Sequence, residues 1–272
     1  MNQVNECVSI INSASSNFKP QIGLVLGSGL GLFSEQIKVS ANIDYDKLPG
    51  FPDAGVSGHE GRLLLGHIGA TRVATLQGRA HYYEHGKADV MATAIRTLSA
   101  MGCESLVLTN AAGSLMDDTP PGSIMLITDH INMTGVSPLF SAKGNQRFVD
   151  MVEAYNPQLN NKMRDAANVN KITLHEGNYA WMCGPQFETP AEIQALKVLG
   201  VHAVGMSTVP EVILARYMKM PLCALSIITN YAAGMSSTTI SHEQTIEYAK
   251  KAEKSVKNLL NSYLASFSIG NE

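Results

Sequence analysis

Charge is scarce in this 272-residue chain: Asp, Glu, Lys and Arg make up 16% of it, against roughly 25% in an average soluble domain. A surface this poor in charge points to burial between subunits. Neither sign is in excess. Twenty basic and 23 acidic residues leave a net charge of −3, so the basic stripe of a nucleic-acid-binding protein is missing. No apolar run approaches the ~18 residues that a membrane span needs. The N-terminal stretch MNQVNECVSIINSASSNFK lacks a basic segment followed by an apolar one, so no secretory signal is expected. Cysteine is sparse too. Cys7, Cys103, Cys183 and Cys223 lie far apart without a CxxC pair, and they read as buried thiols of a cytoplasmic protein. The P-loop pattern GxxxxGK[ST] is absent; the dinucleotide pattern GxGxxG fails at Leu32, and the nucleophile elbow GxSxG fails at Leu26.

What is present is apolar bulk. Hydrophobic residues form 45% of the chain, enough for a sizeable core and too much for global disorder. There is no repeat, low-complexity tract or linker, and Asp117–Gly122 (DDTPPG) reads as a loop. One domain over residues 1–272 is expected. Short apolar runs predict strands at Ile22–Leu26, Arg72–Leu76, Ser105–Thr109, Ile124–Thr128 and Leu222–Thr229. A helical pattern over Ala88–Met101 stops at Gly102. Three capping boxes open further helices: Thr189-Pro190-Ala191-Glu192, running to about Gly200; Thr208-Val209-Pro210-Glu211, running to about Met218; and Ser241-His242-Glu243-Gln244, opening the C-terminal helix. Strands alternating with helices predict an α/β fold with a largely parallel, buried sheet.

Ligands of such folds gather at the carboxyl ends of strands, so each strand exit is a candidate site. The first, Gly27-Ser28-Gly29-Leu30-Gly31, is either a plain turn or a cradle of backbone N–H groups for an anion. The second, Gln77-Gly78-Arg79-Ala80-His81-Tyr82-Tyr83-Glu84-His85, offers an arginine clamp and a histidine donor. His81 to His85 also spells the inverted zinc motif HxxEH, in poor helical context between Gly78 and Gly86. The third is Asn110-Ala111-Ala112-Gly113. Further along come Phe187-Glu188 beside a proline-capped helix, Gly205-Met206-Ser207, and Thr229-Asn230. The Glu188 carboxylate serves either the helix dipole or a ligand's N–H groups.

Seven segments in order carry a family pattern. They are Gly27–Gly31, Gly58-His59-Glu60-Gly61, Gln77–Glu84, Thr109–Gly113, Gly184–Thr189, Val204–Glu211 and Thr229-Asn230. Over residues 20–265 the chain closely resembles the trimeric purine nucleoside phosphorylases, which include methylthioadenosine phosphorylase. The resemblance implies a single α/β domain with a central mixed, partly barrel-like sheet flanked by helices, assembled as a homotrimer. It implies reversible phosphorolysis of purine (2′-deoxy)ribonucleosides, with phosphate as co-substrate and no metal or organic cofactor. Partners are then nucleosides and phosphate, with no nucleic acid and no membrane, in cytoplasmic purine salvage. Phosphate would be held by Ser28, His59, Arg79, His81, the Ala111 backbone and Ser207. Ribose would meet Tyr83, Met206 and His242, with Phe148 reaching in from a neighbouring subunit. Phe187, Glu188 and Asn230 would take the base, and Glu188, Asn230 and His81 would carry the catalysis. The methylthioadenosine branch typically has serine and aspartate at the two base-reading positions, so glutamate and asparagine here favour inosine and guanosine, with xanthosine left open. Three rivals remain at this stage: a nucleosidase, a zinc hydrolase built on His81, Glu84 and His85, and a non-catalytic purine-binding module.

Overall fold

The computed structural model describes residues 2–28, 30–53, 60–236 and 242–267. Among them nine strands form one mixed sheet. In chain order they are β1 (Ile22–Leu26), β2 (Lys38–Asp44), β3 (Arg62–Ile68), β4 (Thr71–Gln77), β5 (Ser105–Ser114), β6 (Ile124–Asn132), β7 (Leu174–Trp181), β8 (Ala203–Gly205) and β9 (Leu222–Tyr231). The spatial order is β2-β3-β4-β1-β5-β8-β7-β6-β9, and β9 returns to pair with β5. Five strands therefore close into a barrel, and the other four extend from it as an open wing.

All five strand runs expected from the sequence form. The expectation of a largely parallel sheet needs correction. β1 pairs in parallel with β4 and β5, β5 with β9, and β7 with β6 and β8. The β2–β3, β3–β4, β5–β8 and β6–β9 pairs are antiparallel. The inner strands β1, β3, β4, β5 and β9 are buried and apolar over most of their length whichever way they run, so direction leaves no trace in their composition.

Helices cover both faces. β1 shows the division. Ile22, Leu24 and Leu26 pack into one core with Val256, Leu259, Leu260 and Tyr263 of α7 (His242–Ala265). Val25 points into the other core, with Cys7 and Ile11 of α1 (Asn2–Ala14) and Ile95 and Leu98 of α3 (Ala92–Ala100). α3 starts four residues later than its apolar pattern, behind a turn closed by the Ala92 N–H on the Asp89 carbonyl at 2.8 Å. The remaining helices are the single turn α2 (Tyr82–His85), α4 (Pro157–Val169), α5 (Pro190–Val198) and α6 (Val209–Tyr217). The α5 capping box forms as read: Thr189 Oγ1 accepts from the Glu192 N–H at 3.2 Å, and Glu192 Oε2 accepts from the Thr189 N–H at 2.7 Å. The box at Ser241–Gln244 lies outside the described residues. No helix of the described residues is long and apolar enough to cross a membrane. Cys7, Cys103 and Cys223 are buried free thiols, but Cys183 is exposed, because it sits in the loop after β7 where the chain leaves the barrel.

Candidate active site

The parallel strands β4, β1, β5 and β9 end at one edge, and their exits converge on a cavity of about 490 Å³. Ser28 comes from the exit of β1; Arg79, His81 and Tyr83 follow β4; Asn110–Gly113 are the last part of β5; Thr229 and Asn230 end β9. The chain beyond β8 adds Met206 and Ser207, and the β7–α5 loop adds Pro185, Phe187 and Glu188. The exit of β1 comes close to β5. The Gly27 N–H donates to Thr109 Oγ1 at 3.0 Å, and a Cβ at position 27 would lie 2.6 Å from the Thr109 carbonyl oxygen. Only glycine fits there.

One end of the cavity is cationic and donor-rich. Arg79 is 2% exposed, and its Nε lies 2.8 Å from Oε1 of Glu211, which is also 2% exposed. Arg79 Nη1 donates to the Thr109 carbonyl at 2.6 Å and to Ser207 Oγ at 3.4 Å. The buried Tyr45 hydroxyl donates to the Gly78 carbonyl at 2.9 Å and so anchors the turn that delivers the arginine. His81 is held by Glu84, whose Oε1 accepts from the His81 backbone N–H at 2.6 Å and lies 2.9 Å from the ring Nδ1. Burial pushes the Glu84 carboxyl up, but the His81 hydrogen bonds and the His81 and His85 charges outweigh it and leave the carboxyl below its usual range. The Tyr83 ring stacks on His81 at 4.9 Å, and burial, with the Glu84 charge, pushes its hydroxyl up to about 12.

The other end is a half-buried carboxylate and an amide. Burial raises the Glu188 carboxyl above its ordinary range; its own backbone N–H opposes the shift and Glu192 adds to it. Thr229 Oγ1 donates to Asn230 Oδ1 at 3.0 Å, and Asn230 Nδ2 donates to the Tyr231 carbonyl at 2.9 Å. The amide is thereby oriented, and its second N–H remains for a ligand. Gly184 and Pro185 are joined by a cis peptide bond, and Gly184 has φ +67°. A Cβ on Gly184 would collide with Met206 Sδ and lie 3.0 Å from Tyr83 Cδ1.

The profile of the Phosphorylase superfamily matches residues 21–265. The chain belongs to the phosphorylase superfamily. Within it, purine nucleoside phosphorylase 1 of Geobacillus stearothermophilus is 43% identical over 237 residues, 86% of each chain. The purine nucleoside phosphorylase of Bos taurus is 36% identical over 261 residues, 92% of this chain and 90% of that one. Isoform 2 of the Schistosoma mansoni enzyme, solved with cytosine and ribose-1-phosphate, superposes with a TM-score of 0.90 at 33% identity, covering 97% and 95% of the two chains. The S. mansoni enzyme solved with inosine gives 0.89 at 30% identity, with the same two coverages. The superfamily is enzymatic, and this chain, like these relatives, is a pentosyl-transferring enzyme of the purine nucleoside phosphorylase kind.

Of the residues singled out in the sequence, Ser28, Arg79, His81, Tyr83, Ala111, Phe187, Glu188, Met206, Ser207 and Asn230 line this superfamily member's cavity together. His59 and the side chain of His242 lie outside the described residues. Phe148 is 76% exposed and is not in the cavity wall of its own chain. The zinc motif is taken apart by the fold. His81 faces the cavity and pairs with Glu84, whereas His85 is on the exposed surface.

Two residues read as a capping box turn out to serve the site. Thr208 caps nothing with its side chain; its hydroxyl accepts from Asn110 Nδ2 at 2.8 Å. Glu211 pairs with Arg79. The T-x-x-E spacing is identical in both uses, so only the three-dimensional position of Arg79 separates them. Asn110 stands in the third strand exit of the sequence, and its side chain serves Thr208.

Proposed function

We propose that this enzyme catalyses reversible phosphorolysis of 6-oxopurine ribonucleosides and 2′-deoxyribonucleosides, giving the free purine and (deoxy)ribose 1-phosphate, in cytoplasmic purine salvage. The observation that carries this reading is a single cavity lined by Arg79, His81 and Ser207 and also by Glu188 and Asn230. The donor-rich end suits an anion, and the carboxylate and amide at the other end suit a purine. Names of relatives support the general activity; Schistosoma neighbours are solved with inosine and guanosine and also with adenosine, so the choice of base rests on Glu188 and Asn230.

Phosphate is held by Ser28, Arg79, His81, the Ala111 N–H and Ser207, and the family resemblance adds His59 to this set. The ribose lies against Tyr83 and Met206, and the family resemblance adds His242. The bond from C1′ to the purine nitrogen breaks, its electron pair leaves with the base, and a phosphate oxygen forms the new bond at C1′. The sugar passes through an oxocarbenium-like state that the phosphate dianion faces. Fixed donors hold that dianion with little motion during the reaction. The departing purine gains negative charge. Asn230 donates its second N–H to N7 or O6, and ionised Glu188 accepts from N1–H, with Phe187 against the ring. Adenine has an acceptor at N1 and a donor at N6, so both contacts would be mismatched. Buried mismatches of this kind discriminate by as much as ~10⁴–10⁵. Every charge in this scheme is met by protein groups or by phosphate itself, so the chemistry calls for no metal and no organic cofactor.

A homotrimer supports completion of the site. Exposed Met133, Phe140, Phe148 and Val152 gather on the stretch between β6 and α4, and Phe148 is offered to a neighbour's ribose. Initial rates at saturating phosphate on inosine, guanosine, xanthosine and adenosine test the base reading. Inosine and guanosine should exceed adenosine by at least about a hundredfold. Adenosine turned over as fast as inosine would overturn it.

A further inference from the structure

The most strained residue near the cavity is Thr208. It is fully buried and β-branched, yet it has φ +73° and ψ −51°. The Val209 N–H donates to the Ser207 carbonyl at 2.8 Å across it, so Thr208 is the centre of a γ-turn of the rare kind with positive φ. A β-branched side chain at positive φ is a conformational outlier. Strain of this sort persists only where surrounding contacts over-determine it, and it gathers at functional sites.

The contacts that hold the turn form one chain of hydrogen bonds. Asn110 is 1% exposed, and its Nδ2 donates to Thr208 Oγ1 at 2.8 Å. Thr208 Oγ1 and Ser207 Oγ lie 3.2 Å apart, where either hydroxyl can donate. Ser207 Oγ also accepts from Arg79 Nη1 at 3.4 Å, while its backbone N–H donates to the Tyr179 hydroxyl at 3.3 Å. An anion in the cavity only accepts, so once the Ser207 proton is given to it the 3.2 Å contact runs from the Thr208 hydroxyl to Ser207 Oγ, and both serine lone pairs are occupied.

We propose that Thr208, set by Asn110, is a positioning residue that fixes the Ser207 hydroxyl as a donor to the anion. This rests on the phosphorolysis reading, in which Ser207 binds phosphate. A serine hydroxyl otherwise rotates and offers an anion a lone pair as readily as a proton. A Thr208 hydroxyl that donates to Ser207 favours the rotamer with the serine proton facing the anion, the kind of preorganisation that makes fixed donors effective.

The test is a double-mutant cycle on the full-length enzyme, reading KM for inorganic phosphate and KM for inosine separately. Thr208→Val keeps the branched shape and removes the hydroxyl. It should raise phosphate KM about tenfold, the scale of one hydrogen bond to a charged group, with inosine KM moving less than about twofold. Thr208→Ser, which restores the hydroxyl on a smaller side chain, should bring phosphate KM back to within about threefold of the unaltered enzyme. In a Ser207→Ala background the Thr208→Val change should have no further effect, because the group it acts through is gone. Asn110→Ala gives the same reading from the other end of the chain of bonds if Thr208→Val does not fold. Equal damage from Thr208→Ser and Thr208→Val, additive effects in the cycle, or an unchanged phosphate KM in both Thr208→Val and Asn110→Ala would overturn the proposal. An unaltered enzyme that cleaves inosine at the same rate without phosphate would instead overturn the phosphorolysis reading beneath it.

Discussion

Glu211→Gln removes a charge while keeping the shape and an acceptor oxygen beside Arg79. Both partners are 2% exposed, and the pair is 2.8 Å apart. Breaking a buried pair by removing one partner typically costs ~3–5 kcal/mol, because the remaining charge stays out of water uncompensated. With the glutamine oxygen and the Thr109 carbonyl still beside the guanidinium, the lower end, about 3 kcal/mol, is expected. In a chain of 272 residues this corresponds to a fall in Tm of roughly 6 °C, at about 2 °C per kcal/mol. The loss should depend on phosphate. An anion seated on Arg79 supplies the missing countercharge and binds the variant more tightly than the parent. Stabilisation by ligand follows RT ln(1 + [L]/Kd), or about 2.7 kcal/mol at a hundred times Kd, so the tighter-binding variant gains more. Thermal unfolding at one protein concentration, in phosphate-free buffer and in a phosphate titration, reads both quantities. The deficit should shrink as phosphate rises. A deficit below about 1 kcal/mol, or one that phosphate leaves unchanged, would refute the placing of this pair at the anion end.

Further outcomes follow from the other end of the cavity. Asn230→Asp puts an acceptor opposite the exocyclic position, so the adenosine-to-inosine ratio of kcat/KM should rise at least about tenfold; an unchanged ratio would show that Asn230 does not read that position. Ionised Glu188 is the stronger acceptor for N1–H, and burial raises its carboxyl above the ordinary 4.5. Inosine kcat/KM should therefore hold at neutral pH and fall on acidification through a pH higher than free glutamate would give. Glu188→Gln should lack that acid limb, and an identical limb in both enzymes would assign it elsewhere. Gly184→Ala forces a methyl group onto Met206 at φ +67°, and should raise nucleoside KM about tenfold with a stability loss of about 1–3 kcal/mol, measured by kinetics and denaturant unfolding.

Much of this architecture can be read in the sequence, for a physical reason. Strands buried on both faces, such as Ile22–Leu26 and Leu222–Tyr231, announce themselves by continuous apolar runs. The Thr189 box announces α5 through local hydrogen bonds. Four strands pass unnoticed: β2 is mostly exposed with no apolar run, β8 is three residues long, β7 mixes polar residues into Leu174–Trp181, and the Leu63–Leu65 run of β3 is short and followed by Gly66 and His67. β5 continues through Asn110–Ser114 because β9 pairs with it past a bulge at Ala112/Gly113. The bare residues Asn-Ala-Ala-Gly look like a loop, because that long-range partner is not visible in them. The same limit hid Glu211 and Thr208, whose spacing suits a cap and whose partners, Arg79 and Asn110, are about a hundred or more residues away. The site residues in Gly27–Gly31, Arg79–Tyr83, Phe187-Glu188 and Thr229-Asn230 were found because each sits at a strand exit or just ahead of a capped helix. Convergence of those exits was implied by the fold class and delivered by the parallel pairings of β4, β1, β5 and β9.

The most direct measurement follows phosphorus. With inosine, inorganic phosphate and the purified enzyme, 31P NMR should show the phosphate signal replaced by that of ribose 1-phosphate, in step with hypoxanthine released. Inosine consumed while the phosphate signal stays constant, with free ribose accumulating, would mean that water is the nucleophile and that Arg79, His81 and Ser207 do not hold the attacking anion.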